Sequence, residues 1–422
     1  MPPPAVLHLS TYDGLGGAAR AAYRLHAGLR GIGVASRMLV RHKVSDDSDV
    51  LLATTQPEAT WHRSWRKVAP YLDDLPRHLL RTGNPTPISP AWLPSATATD
   101  ANRAAPAIVN LHWVCGGFVV PENLPRLRAP IVWTLHDQWA FCGGEHYTGE
   151  DRRFADGYRS DNRPKDEGGI DVNRWIWARK RRAYRRVGRL VAVAPSRWLA
   201  DLAHKSVLLR ERRIEYIPYG VDASRFHPIE RDVARRLLNL PAGRRLVLFG
   251  AFGGINNPRK GFDLLAAALR RLVAEGKAND LELVIFGSGA EGASVDVGVP
   301  ARSLGILHDD ISLALVYAAA DIYVAAATAD NLPLTVMEAM ACGTPVVGVA
   351  VGGMADLVHD GETGRLISHR DPDALAGAID WMFDAPSRCR DLGAAARGLI
   401  EREFTLERQA ERYVALYREL AP

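Results

Sequence analysis

The stretch 330–349, DNLPLTVMEAMACGTPVVGV, holds the densest set of groups with a chemical use. Thr335 and Glu338 stand in the S/T-x-x-E spacing of a capping box, which predicts a short helix starting at Thr335. Free N–H groups and the positive dipole end at such a start favour an anion, most often a phosphate. That alone supplies about 0.3–1 kcal/mol when exposed and up to ~2 when partly buried, so a site needs further groups. Glu338 would repel a phosphate, and its natural ligand is a hydroxyl such as a ribose; the plainer reading is that it only closes the capping box. A second set is Arg259-Lys260-Gly261, directly before the amphipathic run 262–272. Cations at a helix start oppose the dipole unless an anion is present, so this placement points to a diphosphate. A third set is His112 and His136, each just after a short apolar run (108–111 and 131–135). Aromatic and glycine-rich stretches follow both, with Trp113, Gly116 and Gly117 after the first and Trp139, Gly143, Gly144, His146 and Tyr147 after the second, as a sugar-stacking surface would require.

These groups must be positioned by alternating strands and helices. The runs 5–9, 36–40, 108–111, 131–135, 187–194, 246–249, 283–286, 322–326 and 346–349 read as buried parallel strands, with helices between them. Histidines and loops that follow such strands emerge at the carboxyl edge of a sheet, where α/β proteins bind ligands. Gly14, Gly16 and Ala19 satisfy G-x-G-x-x-A, but residues 10–13 separate the first glycine from its strand, which makes the dinucleotide fingerprint a poor fit. Arg37 and Arg41 would suit a 2′-phosphate, which keeps an NADP site as one reading. Asp47 and Asp49 form a lone D-x-D in an acidic turn, and no metal is expected there. Residues 61–81 are amphipathic and basic, and 82–100 are a Pro/Ser/Thr-rich loop. Residues 174–189, RWIWARKRRAYRRVGR, predict a basic helix whose aromatics pack on the core, with an anionic lipid surface as the second reading and nucleic acid as the third. Ser196 is the expected cap of the helix after it.

A chain of 422 residues is too long for one core and predicts two domains. With 47% apolar and 24% charged residues it falls in the ordinary globular range, and a net charge of +5 implies no nucleic-acid partner. Its four cysteines, Cys115, Cys142, Cys342 and Cys389, lie far apart, so neither a disulfide framework nor a zinc site is suggested. The first residues lack a signal peptide's charged and apolar regions, and no run approaches the ~18–20 apolar residues of a membrane span. A cytoplasmic location follows, with peripheral contact to the inner face of a membrane as an option.

Asp330, seven intervening residues and then Glu-Ala-Met-Ala-Cys-Gly-Thr-Pro-Val-Val resembles the donor-site signature of the family-4 retaining glycosyltransferases. That resemblance implies the GT-B fold: two Rossmann-like α/β domains, doubly wound and facing a cleft, with a C-terminal helix crossing back to the first. The implied acceptor-side domain is 1–225 with 405–422 returning to it, and the donor domain is 226–404. Asp330, one methylene shorter than the family's usual Glu, would contact the donor sugar, and Glu338 the ribose. Asn331, Leu332, Leu334 and Thr335 would face sugar and diphosphate, and Leu307, with the backbone from Gly305, the nucleobase. Lys260 would neutralise the leaving diphosphate. Ala251 replaces the family's arginine after the first strand of that domain, and Arg259 is taken as its substitute. Gly16 and Gly17 match a Gly-Gly-Ala loop that touches the diphosphate. NLHWVCGGF and WTLHDQWAFCGGEHY are similar to a branch that builds bacterial polysaccharides, which assigns His136 to the sugar pocket; the cysteines that often follow there are absent. The activity implied is retaining transfer from a nucleotide diphosphate sugar to a hydroxyl acceptor, whether sugar, glycolipid or small molecule, without a metal or other cofactor. The cleft would also serve a sugar phosphorylase or a nucleotide-sugar epimerase, and a noncatalytic sugar-binding protein and an NADP oxidoreductase complete the alternatives.

Overall fold

The computed structural model describes residues 3–53, 71–82, 84, 86–250, 253–287, 296–385 and 387–421. Residues 61–70 of the expected amphipathic stretch and the Ala251 position lie outside the described residues. The chain divides into two compact units, Met1–Pro218 with Gln409–Pro422 and Tyr219–Arg408.

The first unit is built on seven parallel strands: β1 (Val6–Tyr12), β2 (Ser36–His42), β3 (Val50–Leu52), β4 (Ile108–Leu111), β5 (Ile131–Thr134), β6 (Leu190–Ala194) and β7 (Arg213–Tyr216). Their order is β3-β2-β1-β4-β5-β6-β7, so the winding reverses between β1 and β4. The second unit repeats the plan with β8 (Arg245–Gly250), β9 (Leu281–Phe286), β10 (Ala301–Ser303), β11 (Ile322–Ala325), β12 (Val346–Val349) and β13 (Gly364–Ile367), ordered β10-β9-β8-β11-β12-β13. Here the reversal falls between β8 and β11, with Leu248 opposite Tyr323. Both sheets are doubly wound, as the apolar runs predict, because a parallel sheet covered on both faces needs strands without a polar side.

One face of the first sheet packs Leu7, Leu9, Val109, Leu111, Trp133 and Ala192 into a core with Trp139, Phe141, Trp177 and Tyr184. The other face packs Val6, Ile108, Val132 and Val193 against Tyr413, Val414 and Tyr417 of the last helix, Leu406–Leu420. That helix is pinned by polar contacts as well: Asn110 Nδ2 donates to Tyr417 Oη at 2.8 Å, and Tyr413 Oη lies 2.8 Å from Thr134 Oγ1. In the second unit the helices Phe262–Ala274 and Pro372–Phe383 cover one face, burying Leu265, Leu269, Leu375 and Ile379 against Val247, Leu283 and Val347.

The basic helix spans Val172–Tyr184. Trp177 and Tyr184 pack on the core as expected, whereas Trp175 is 41% exposed. Lys180, one of the basic residues of this helix, is fully buried. Ser196 caps its helix by accepting from Leu199 N at 3.1 Å.

Candidate functional site

In the second unit the carboxyl ends of β8 and β11 lead into the two loops that carry the predicted donor residues. After β8, Asn257 accepts from Arg259 N and the chain passes through a single turn, Pro258–Lys260, to Gly261. Gly261 has φ 73°, and a Cβ there would fall 1.9 Å from the Ala326 carbonyl oxygen. Only glycine admits this approach, and it presses the Lys260 turn onto the end of β11. Thr328 N completes the contact by donating to Arg259 O at 2.8 Å.

The result is an ion pair that spacing did not reveal. Lys260 Nζ lies 2.7 Å from Asp330 Oδ2. Arg259 Nη1 donates to Ala329 O at 2.7 Å and stands 3.6 Å from the same carboxylate oxygen. Burial pushes the Asp330 carboxyl up, but Lys260, Arg259 and the bonds from Lys260 and the Asn331 amide outweigh it and hold it below the ordinary carboxylate range. An ammonium carries three N–H donors, and Asp330 uses one.

The helix after the loop spans Leu334–Ala341 and begins one residue before the expected start. Pro333 is its N-cap and no side chain caps it, so the capping box expected from Thr335 and Glu338 does not form. Proline preorganises the helix entry and occupies the cap position, which releases Thr335 to another partner. That partner is Tyr323 of β11, whose hydroxyl bonds with Thr335 and donates to Gly250 O at 2.9 Å. Glu338 is 2% exposed and accepts from Tyr317 Oη at 2.8 Å. Burial, and next to it the Glu338 carboxylate, raises the Tyr317 phenol well above its ordinary value, which keeps it a donor. Asn331, Leu332 and Leu334 are buried, while Leu307, in the loop after β10, is half-buried. The unit thus gathers Lys260, Arg259 and Asp330 into one constellation, and Thr335 and Glu338 into a second, with Tyr323 close enough to feel both the Asp330 and Glu338 charges. Tyr317 and Tyr323 were not singled out in the sequence; a phenol inside IYVAA, where an aliphatic residue would serve the sheet, is the signal that marks Tyr323.

In the first unit Gly16 has φ 85° and precedes the helix Gly17–Gly31, which has no side-chain cap and no acid in its first turn. A Cβ on Gly16 or Gly17 would meet nothing within 4 Å among the described residues. At the ends of β4 and β5, His112 Nδ1 lies 3.0 Å from His136 Nε2, so the two histidines meet as their placement predicts. Burial lowers the His136 imidazole to about 4 against the opposing pull of Asp137, which leaves it neutral at pH 7. Beside them Asp137 Oδ2 lies 2.6 Å from His146 Nδ1, and His146 stacks on Trp113 with centroids 5.6 Å apart. Lys180 supports this loop from below. Its ammonium donates to the carbonyls of Trp139, Cys142 and Gly143 and lies over the Trp139 ring. Its charge was legible but its burial was not, because arginines surround it in the sequence.

Asp47 and Asp49 are both taken by Arg30, at 2.9 and 3.2 Å. Glu145, Asp151 and Glu167 converge, but Arg153 stands among them, 2.7 Å from Asp151 and 2.8 Å from Glu167. Both acidic groups therefore find a cation in the chain itself. No helix among the described residues is long and apolar enough to cross a membrane.

Comparison with known proteins agrees with this architecture. The family described as Glycosyltransferase Family 4 matches residues 15–225, and the one described as Glycosyl transferases group 1 matches residues 245–385. A D-inositol 3-phosphate glycosyltransferase of Rhodococcus erythropolis is 33% identical over 257 residues, 57% of this chain and 57% of that protein. D-inositol 3-phosphate glycosyltransferase 2 of Catenulispora acidiphila is 35% identical over 198 residues, 44% of this chain and 45% of that one. The chain thus spans about half the length of the curated relatives it matches. Among solved structures, sucrose-phosphate synthase from Thermosynechococcus elongatus superposes with a TM-score of 0.67 at 18% identity, covering 99% of both chains. Anabaena HepE in complex with UDP and glucose superposes with a TM-score of 0.65 at 16% identity, covering 99% of this chain and 100% of that one. At such identities the likeness carries the fold, while the family matches, which cover both units, carry the assignment: the chain belongs to Glycosyltransferase Family 4.

Proposed function

We propose that the protein transfers a sugar from a nucleotide diphosphate sugar to a hydroxyl acceptor with retention at the anomeric carbon. The observation that carries this reading is the Lys260–Asp330 pair at the point where β8 and β11 part, with Arg259 behind it and an uncapped helix start beside it. Departure of a nucleoside diphosphate concentrates negative charge on its leaving oxygen. Lys260, fixed by Asp330 before any ligand arrives, offers its remaining N–H donors to that charge, and preorganisation of this kind is usually the largest catalytic term. Arg259 and the first N–H groups of Leu334–Ala341 add to it, so the reading assigns charge neutralisation to the chain's own groups and needs no metal for it. Asp330 also has lone pairs for a sugar hydroxyl, and Glu338 takes the ribose. As the bond from the anomeric carbon to the diphosphate breaks, the bond to the acceptor oxygen forms on the same face, and the acceptor's proton passes to the departing phosphate oxygen. Retention is supported by the family likeness of residues 330–349, and the relatives' names make an inositol phosphate one acceptor to try.

The test is a thermal-shift panel with UDP, GDP, TDP, ADP and NADPH, followed by transfer assays with sugars of the nucleotide that binds. A ligand at a hundred times its Kd stabilises by about 2.7 kcal/mol. One nucleoside diphosphate should raise the transition and lose that effect in Lys260→Ala. A shift with NADPH alone, or donor cleavage that depends on orthophosphate, would replace this reading with an oxidoreductase or a phosphorylase.

A further inference from the structure

The first unit holds a cleft that the transfer reading does not use. It encloses about 550 Å³, and every residue that lines it belongs to this unit. That volume lies within the range of small-molecule sites, roughly 300–1,000 Å³. The basic helix Val172–Tyr184 forms one wall through Arg174, Trp177, Ala178 and Arg181. These four stand at i, i+3, i+4 and i+7, so a single stripe of the helix meets the cleft. Ala178 ends at Cβ, which leaves the stripe open between the two arginines. Residues 155–159 supply a second wall, and Arg210 comes from the turn after the helix that Ser196 caps.

The floor is aromatic and turned inward. Trp177 and Tyr158 are buried, with ring centroids 5.8 Å apart. Tyr158 Oη accepts from Gly143 N at 2.9 Å and lies 3.2 Å from Glu145 Oε2, so the phenol is occupied inside the unit.

The walls hold more donors than acceptors. Arg159, Arg174, Arg181 and Arg210 meet there against one carboxylate, that of Asp156. Arg181 lies over the Trp177 ring, its Cζ 5.4 Å from the centroid, a contact that uses the face of the guanidinium and none of its N–H groups. The side chains of Arg174, Arg181 and Arg210 make no hydrogen bond or ion pair among the described residues. Arg159 is tied to Asp161 at 3.0 Å and to Asp156 O at 2.9 Å, but the pair with Asp161 is exposed on both sides and holds weakly. Trp177 Nε1 is buried without an acceptor among the described residues. Other guanidiniums of this unit do find carboxylates: Arg153 meets Asp151 and Glu167, Arg179 meets Glu122, and Arg213 meets Glu215 and Glu419. Like charges gathered round a concave surface repel one another and raise its potential, which an anion relieves. Guanidinium forks match the paired oxygens of a phosphate.

We propose that this cleft binds two or more phosphate groups, presented by one free ligand or by neighbouring lipid headgroups, at a site built from none of the transfer residues. Arg174, Arg181 and Arg210 take the phosphate oxygens. Asp156 repels them, so they sit against the helix stripe and Arg210, and Arg159 joins by leaving its exposed pair with Asp161.

Calorimetric titration of the full chain with inorganic tripolyphosphate tests the site. The diphosphate groups of the second unit would also attract this probe, so the titration is run on Lys260→Ala, which impairs them and leaves the cleft intact. One equivalent should bind. Arg181→Gln with Arg210→Gln should weaken binding by about a hundredfold, roughly tenfold for each charge-assisted bond lost. Both arginines are exposed, so these variants should fold, and in the background with Lys260 they should leave sugar transfer unchanged. In a second arm the chain is sedimented with phosphatidylcholine vesicles, with and without phosphatidylglycerol. Tripolyphosphate binding without vesicle binding assigns a free ligand. Vesicle binding that needs phosphatidylglycerol and disappears in the double variant assigns the headgroups. Absence of binding in both arms overturns the site, as does binding that the double variant leaves unchanged. Tripolyphosphate that binds the wild type but not Lys260→Ala, with no vesicle binding, would place the anion in the second unit and also overturn it. Neither arm depends on turnover, so this site stands or falls apart from the transfer reading.

Discussion

Lys260 is tethered by Asp330, and that tether separates two kinds of failure at the level of single residues. Lys260→Ala should cut kcat by about 10²–10³, the usual cost of losing one preorganised donor to a developing charge, and should also lower the denaturation midpoint, because it leaves the largely buried Asp330 carboxylate without its ammonium. Asp330→Asn leaves the ammonium in place but frees it to wander and keeps an oxygen for the sugar hydroxyl, so a smaller loss of about tenfold is expected; steady-state kinetics on the two variants ranks them, and an equal loss would mean that the negative charge on Asp330 matters beyond holding Lys260. Gly261→Ala acts on the same site through the backbone. Its Cβ would press on the Ala326 carbonyl at a left-handed position, so a loss on the order of 2–4 kcal/mol in urea unfolding is expected. Lys260 was legible because a cation just before a helix start is costly unless an anion is present, whereas Asp330 came only from the family resemblance and Glu338 from its spacing to Thr335. The Lys260–Asp330 contact was not, since it depends on a left-handed turn closing two loops 70 residues apart. Thr335 misled for a local reason: its spacing to Glu338 fits a capping box, but Pro333 already sets the helix entry.

Among the elements, the nine inner strands were legible, because a parallel sheet covered on both faces leaves a simple pattern, whereas β3, β7, β10 and β13, at the sheet edges and partly exposed, carry no such apolar run. The polar groups inside those elements were not. His8 sits in a run of aliphatic residues, and Lys180 in a run of arginines, and neither neighbourhood announces a buried hydrogen-bond network. Glu145 is a third such group. It is 2% exposed, with Tyr158 Oη at 3.2 Å and Arg153 at 3.6 Å. Burial first, with Asp151 and Glu167 adding to it against the pull of Arg153, raises its carboxyl to about 7. A folded-state value above the unfolded one means that the native chain binds the extra proton, so this contribution is full below pH ~4.5 and is lost as pH rises through about 7. The loss is on the order of 3 kcal/mol for a shift of this size. Glu145→Gln carries no titrating proton there, so the gap in unfolding free energy between wild type and variant should move by that amount between pH 4.5 and 7, in the variant's favour as pH rises. A gap constant across that range would show Glu145 ionised in the native state.

At the scale of the whole molecule the same strand order is laid down twice, and the chain then returns for one more element. Thr405 still bridges to Val221 in the second unit, yet from Gln409 onward the last helix belongs to the first. Ala410, Tyr413, Val414, Leu416, Tyr417 and Leu420 are all buried against β1, β4, β5 and β6. The amphipathic pattern of 405–420 was readable as a helix; the sheet face it covers became clear only from the partners of its two tyrosines, Asn110 and Thr134. At about 1.5–3 kcal/mol for each large apolar side chain, this helix contributes on the order of 10 kcal/mol as an upper bound. A domain's entire stability is only about 5–15 kcal/mol, so the first unit should not survive its removal. The second unit holds Lys260, Asp330, Thr335 and Glu338 and loses nothing from its own core. A chain ending at Arg408 should therefore lose the calorimetric transition of the first unit and expose its segments to protease, while the second unit keeps its transition and its response to a nucleoside diphosphate. Loss of that response along with the first unit would mean that nucleotide binding draws on both units, and the assignment of the diphosphate to β8 and β11 alone would have to be given up.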